Sequence, residues 1–181
     1  MRRLLALGLL ALLAIVPFTA TAAEVKSDEL GFSYEVPDDW KVMTKKDISA
    51  YPLALGPTEG DFTANINVVK EDFGGTIDAY VEANMVTLRK SFKNLKEVDS
   101  SKFVTKSGLE GRRVITEHDT FQKDLRQCFY FFKAAKGDTW IVVTTSCLTS
   151  VGEKLQPTFD GILKTFSNGT GSSGGGAGGA M

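Results

Sequence analysis

The chain has 181 residues, with 21 basic against 22 acidic side chains and a formal net charge of −1. That balance excludes a general nucleic-acid binder, whose surface carries a basic excess, and the length suits one domain with a core of its own. Two cysteines and one histidine leave little material for thiol or metal chemistry.

Residues 1 to 22 read MRRLLALGLLALLAIVPFTATA. Arg2 and Arg3 make a short basic start, and Leu4 to Val16 is an apolar run too short to span a bilayer as a helix. Ala20-Thr21-Ala22 is a small-x-small cleavage site, with cleavage after Ala22 or Ala23. The whole reads as a secretory signal peptide, to be set aside from fold reasoning. No cysteine near the cleavage point offers a lipid anchor, and the residues around the two arginines are too generic to mark the twin-arginine route. No later apolar run is long enough to cross a membrane. Losing Arg2 and Arg3 takes 21 basic residues to 19 against 22 acidic, a net charge near −3. The expected location is periplasmic or secreted, an oxidising setting in which two cysteines usually pair.

The domain is expected over residues 23 to 167. Ser27-Asp28 is polar and reads as a frayed start. Gly31 to Val36 alternates apolar and polar, a strand signal, and Pro37-Asp38-Asp39 turns the chain. Trp40 to Met43 resumes an extended run, with Trp40 read as a core plug at the turn rather than a ligand platform. Ala50 to Leu55, broken by Pro52, reads as an edge strand, and Gly56 to Gly60 as a loop. Phe62 to Val69 is a strand that places Phe62, Ala64, Ile66 and Val68 on one face and Asn65 and Asn67 on the wetter one.

Gly74-Gly75 breaks that run, and Thr76 is placed to cap a helix, with Asp78 in its first turn. Ile77, Val81, Met85, Leu88 and Phe92 make one helical stripe, and the helix is expected to end near Lys93-Asn94. Leu95 to Lys106 and Gly111 to Thr116 read as two strands around Ser107-Gly108, with Gly111 as a candidate bulge. Arg112 and Arg113 fall on opposite faces, which argues against a two-arginine anion clamp.

The stretch from Leu125 to Cys147 organises the rest. Two apolar runs flank Lys136-Gly137-Asp138-Thr139, a hairpin signal. A turn centred on Gly137 and Asp138 sets Cys128 directly opposite Cys147. Facing Cα atoms in such pairs lie roughly 4.5–5.5 Å apart, within disulfide reach, so the spacing predicts a Cys128–Cys147 bridge. Closing a loop of about 20 residues in this way would contribute roughly 3 kcal/mol in the chain-entropy model. Cys128, Tyr130 and Phe132 share one face with Ile141, Val143 and Cys147. Phe129 and Phe131 share the other with Trp140 and Val142. A sheet apolar on both faces needs cover on both, which predicts a sandwich of helix, sheet and helix. It also makes Phe129 to Phe132 core rather than a stacking platform.

Ser150-Val151-Gly152-Glu153 fits a capping box, and Val151, Leu155, Phe159, Ile162 and Phe166 repeat the first helix's stripe. Pro157 is expected to kink or split this second helix. Residues 168 to 181 are Gly/Ser-rich and expected to be a flexible tail. Asn168-Gly169-Thr170 matches a glycosylation sequon.

The search for chemistry returns no catalytic set, no metal site and no cofactor. His118 is the one histidine, and on a strand Glu117 points away from it, so Glu117-His118-Asp119 cannot converge on a metal. It is read as a surface residue at a strand end. No Gly-x-Ser-x-Gly elbow and no phosphate-cradling glycine loop is present. Asp38-Asp39 is an acidic pair in a solvated turn.

The order of Gly31-Phe32-Ser33-Tyr34, Pro37-x-x-Trp40, Asn65-Ile66-Asn67-Val68 with a helix behind it, and a closing Ile162-Leu163-x-x-Phe166 resembles the PsbP-like superfamily, which includes photosystem PsbP and bacterial exported proteins of the DcrB and LpqN kind. The resemblance covers about Leu30 to Ser167. It implies a central antiparallel sheet flanked by helices, so that the expected fold is α+β, a three-layer α/β/α sandwich. It also implies a non-catalytic binding or accessory protein and carries over no site residue. The function expected is that of an exported accessory domain acting on a protein or cell-envelope partner. The alternatives are a carrier of a small apolar ligand, with Trp40, Tyr51 or Tyr80 lining a pocket, and a hydrolase with His118 as base.

Overall fold

The computed structural model describes residues 22–44, 52–120, 122–135 and 137–168. Residues 1–21 of the expected leader, the expected tail beyond Asn168, and Tyr51 lie outside the described residues. The elements in order are β1 (Ala22–Ser27), β2 (Phe32–Pro37), β3 (Lys41–Met43), β4 (Leu53–Glu59), β5 (Phe62–Asp72), α1 (Ile77–Ser91), β6 (Lys93–Val104), β7 (Glu110–Thr120), β8 (Lys123–Lys133), β9 (Thr139–Leu148) and α2 (Thr149–Lys164). The class is α+β. Seven strands form one antiparallel sheet in the order β3-β4-β5-β9-β8-β7-β6, and β1 pairs with β2 apart from it. Among the described residues no helix is long and apolar enough to cross a membrane.

The β8–β9 ribbon lies at the centre and has two apolar faces, as its alternation requires. Cys128, Tyr130, Phe132, Ile141, Val143 and Cys147 pack with Phe159, Ile162 and Leu163 of α2. Phe129, Phe131, Trp140 and Val142 pack with Tyr80, Val81 and Met85 of α1. Each fully buried side chain of this size contributes roughly 1.5–3 kcal/mol of apolar burial. The cover is uneven. α1 packs on β6, β7 and β8, whereas α2 packs on β8, β9 and β2, so the two-stranded sheet shares the second face with the helix.

Several boundaries differ from the sequence reading. The start is not frayed: β1 pairs along β2 from Ala22 to Ser27, and Val25 enters the core. The expected loop at Gly56 to Gly60 is largely strand. β4 runs to Glu59, absorbs Gly56-Pro57 as a register shift between Leu55 and Thr58, and turns at Gly60, whose φ is +58°. β4 is therefore interior, and β3 holds the edge. Gly111 is no bulge, since it pairs regularly with Phe103 and Phe132. A Cβ there would stand 2.5 Å from the Phe131 carbonyl oxygen and 2.6 Å from the Phe132 ring, so this glycine admits a close ring.

The helices form where expected but end differently. Thr76 caps α1, its Oγ1 accepting from Ala79 N at 3.3 Å. The helix stops at Ser91, and Phe92 leaves the stripe. α2 starts straight off β9 with Leu148 as N-cap, and no side chain caps it. Ser150 already sits inside the first turn, so the capping box does not form. Pro157 lies inside α2 without dividing it; the Phe159, Ile162 and Leu163 stripe holds the following turns against the sheet. Phe166, past the helix end, stacks on Phe132 at 4.5 Å and Phe32 at 5.8 Å.

The predicted facing of the two cysteines is corrected. Cys128 pairs with Thr145, and Cys147 with Arg126. The connection is centred one residue earlier than a Gly137-Asp138 turn, with Ala134 N donating to Thr139 O at 2.9 Å and Gly137 at φ +72°. Moving the centre by one residue slides the register by two. The cysteines thus become diagonal neighbours, whose Cα atoms are typically roughly 7–8 Å apart, at the limit for a bridge. Both are free thiols here.

Candidate functional site

Charged side chains gather where the sheet emerges beyond the N-terminal end of α1. Gly74-Gly75 ends β5, Thr76 starts the helix, and the strands behind project outward in register. Lys102 faces Arg112 across β6 and β7, and Lys133 faces Trp140 across β8 and β9. Between them opens a cleft of about 490 Å³, lined also by Ile77, Asp78 and Glu110. Lys102 Nζ pairs with Glu110 Oε1 at 2.6 Å. Arg112 reaches Asp78 at 3.5 Å and donates to Ser100 Oγ at 3.2 Å, while its Nε is buried with no acceptor. Lys133 Nζ stands 3.3 Å from Asp138 and 5.7 Å from the Trp140 ring centre. The Trp140 indole donates to Phe73 O at 3.0 Å, which fixes the floor.

The polar groups on the other face are tied to one another. Asp160 of α2 accepts from Arg113 NH1 at 2.6 Å and from the Tyr130 hydroxyl at 2.6 Å. Gln156 donates to both Tyr130 and Asp160. Arg113 also donates to Asp99 at 2.8 Å, and that bond holds the Asp99 carboxyl below its ordinary range. Arg126 donates to Glu117 at 2.7 Å beneath the start of α2. Arg112 and Arg113 do point to opposite faces, one toward α1 and one toward α2. Burial raises the Cys128 thiol to about 12 and the Cys147 thiol to about 11, so neither carries a usable thiolate near neutral pH.

The expectation for His118 is corrected: it is not a surface residue. It is 3% exposed, stacked on Phe92 at 3.9 Å, with Nε2 2.9 Å from Gln127 Oε1. Gln127 in turn donates to Ser146 Oγ at 3.0 Å, so the histidine is the end of a buried side-chain chain. Nδ1 is buried without a partner. A general base must reach a substrate proton, and this ring is closed off by Phe92. Glu117 turns to Arg126, as the strand alternation requires. Among the described residues no three His, Cys, Asp or Glu side chains stand close enough to hold a metal.

Trp40 and Tyr80 are buried core residues. Trp40 packs edge-on against Phe159 and over Gly56, and Tyr80 stacks on Trp140 with its hydroxyl bound to Glu71 at 2.6 Å. Phe129 to Phe132 are buried, as core. The apolar cavity beside α2, lined by Phe62, Ala64, Cys147, Val151 and Leu155, holds about 180 Å³, below the roughly 300–1,000 Å³ of small-molecule sites. The sequence reading missed the cleft because Lys102, Arg112 and Lys133 are each ordinary solvated strand positions alone. Only their register brings them together.

No family model and no curated protein matches the chain in sequence. Its fold is nonetheless shared. LpqN, involved in cell envelope biogenesis of Mycobacterium tuberculosis, aligns with a TM-score of 0.61 at 13% identity over 81% of this chain and 90% of that one. The Saccharomyces cerevisiae Ran-binding protein Mog1p aligns at 0.58 and 9% over 83% and 97%. Cyanobacterial PsbP (CyanoP) from Synechocystis sp. PCC 6803 aligns at 0.56 and 13% over 91% and 98%.

Proposed function

We propose, from a chain that carries the PsbP-like fold, that this is an exported, non-catalytic binding or accessory protein acting on a protein or cell-envelope partner. We read it as a leader over residues 1 to 22, a domain over 23 to 167 layered as helix, sheet and helix, and a tail over 168 to 181 whose first residue, Asn168, is still packed on the domain. One observation carries the functional reading. The side chains best able to do chemistry are bound to one another inside the fold: Arg113, Asp160 and Tyr130 under α2, Arg126 with Glu117, and His118 with Gln127. Groups held this way stiffen a scaffold and leave its outer surface to make contacts. The names of the structural neighbours agree, one a Ran-binding protein and one involved in cell envelope biogenesis.

The test is affinity capture from envelope extract with the folded mature chain, beside a heat-unfolded sample of the same chain, read by mass spectrometry. The expected result is one partner enriched by the folded chain alone, which then binds it as a purified pair. Equal recovery by both samples, or no interaction in the purified pair, would count against the reading. Detectable turnover that disappears in His118→Ala would point to an enzyme instead.

A further inference from the structure

We propose that the cleft at the N-terminal end of α1 binds a small organic anion, a phosphate or carboxylate group on an apolar body, with Arg112 as its main partner. This goes beyond the accessory role and does not depend on it. The cleft, at about 490 Å³, is of the size that takes a small molecule. Three cations from three adjacent strands, Lys102, Arg112 and Lys133, line it, each beside one carboxylate, Glu110, Asp78 and Asp138, so an anion would enter by displacing these counter-ions.

Those carboxylates are loose counter-ions. The Asp78 and Glu110 side chains are 75% and 66% exposed, and ion pairs so open to solvent hold weakly. Arg112 has the longest ion pair of the three cations, beside one hydrogen bond to Ser100 Oγ at 3.2 Å. Its side chain is 32% exposed, and its contact with Asp78 at 3.5 Å exceeds the length of a charge-assisted hydrogen bond. A planar oxyanion group matches a guanidinium better than Asp78 does at that distance. The part-exposed Ile77 side chain and the rim of the otherwise buried Trp140 supply the apolar contact that a bare inorganic ion would leave unused. Lys133, about half exposed and held by Asp138 at 3.3 Å, can turn its ammonium toward a ligand in the cleft.

The test is a titration of the isotopically labelled mature chain, following the backbone amides of Gly75, Ile77, Gly111 and Arg112 by NMR. The probes are phenyl phosphate, benzoate, inorganic phosphate and benzyl alcohol. Phenyl phosphate or benzoate is expected to shift those amides saturably, with inorganic phosphate and benzyl alcohol each binding about tenfold more weakly or worse. Arg112→Gln is expected to weaken the better anion about tenfold. Should that variant fail to fold, Lys133→Gln carries the test, with a loss of about threefold. The proposal is overturned by shifts that do not saturate, by benzyl alcohol matching the anions, or by affinity unchanged in the folded variants.

Discussion

Gly152 of α2 rests directly on the aliphatic stem of Arg126 in β8. A Cβ at Gly152 would overlap Arg126 Cδ and stand 3.2 Å from its Cβ. The stem cannot swing away freely, because its guanidinium is bound to Glu117 at 2.7 Å and the residue is 9% exposed. Gly152→Ala should therefore destabilise by about 1–2 kcal/mol, overpacking outweighing the helix-propensity gain of under about 1 kcal/mol. Urea unfolding measures it. An unchanged or raised midpoint would mean that the stem moves aside.

Asp160 joins α2 to the sheet through Arg113 and Tyr130. Asp160→Ala leaves a buried hydroxyl and a half-buried guanidinium short of an acceptor, and should cost about 2–4 kcal/mol. A double-mutant cycle with Tyr130→Phe should show coupling of about 1 kcal/mol. Additive losses would show that the two groups do not work together.

The buried thiols predict an alkaline limb of stability. The folded chain holds Cys128 at about 12 and Cys147 at about 11, against 9.0 for a free thiol. Above pH 9 the unfolded chain releases these protons and the folded chain retains them, so stability falls with rising pH until the folded thiols ionise near 11 to 12. The urea midpoint should drop from pH 8.5 to pH 10, and Cys128→Ala should reduce that slope. Thiol titration of the urea-unfolded chain should return two thiols. A count of zero would reveal a Cys128–Cys147 bridge and require the β8–β9 ribbon to distort from its present register.

Acid should act through Asp99. Its carboxyl titrates below the ordinary range beside Arg113, so its contribution is present above the unfolded value and is lost as pH falls through the folded one. Asp99→Asn should flatten the acid limb of the stability profile.

Asn168 closes the domain, its Nδ2 donating to Lys133 O at 2.8 Å from a buried position. Asn168→Ala should cost about 1 kcal/mol. A glycan on the Asn168-Gly169-Thr170 sequon would occupy the same nitrogen, so a chain glycosylated there should unfold at lower urea than its unglycosylated form.

The sequence alone determined the faces. Alternation in Cys128 to Phe132 and Ile141 to Cys147 sorted every core residue of the central ribbon to its correct side, even though the turn was centred one residue late. A register error of two preserves side-chain facing, because strands repeat every two residues. Helical periodicity likewise located both helices, since a stripe at 3.6 residues is a local property. Tertiary structure alone decided which residues meet. Whether Cys147 stands beside Cys128 or Arg126, whether His118 is capped by Phe92, and whether Lys102, Arg112 and Lys133 share a cleft all depend on register and on where a chain segment lands. Those outcomes follow from packing between residues far apart in the chain, which no local pattern encodes.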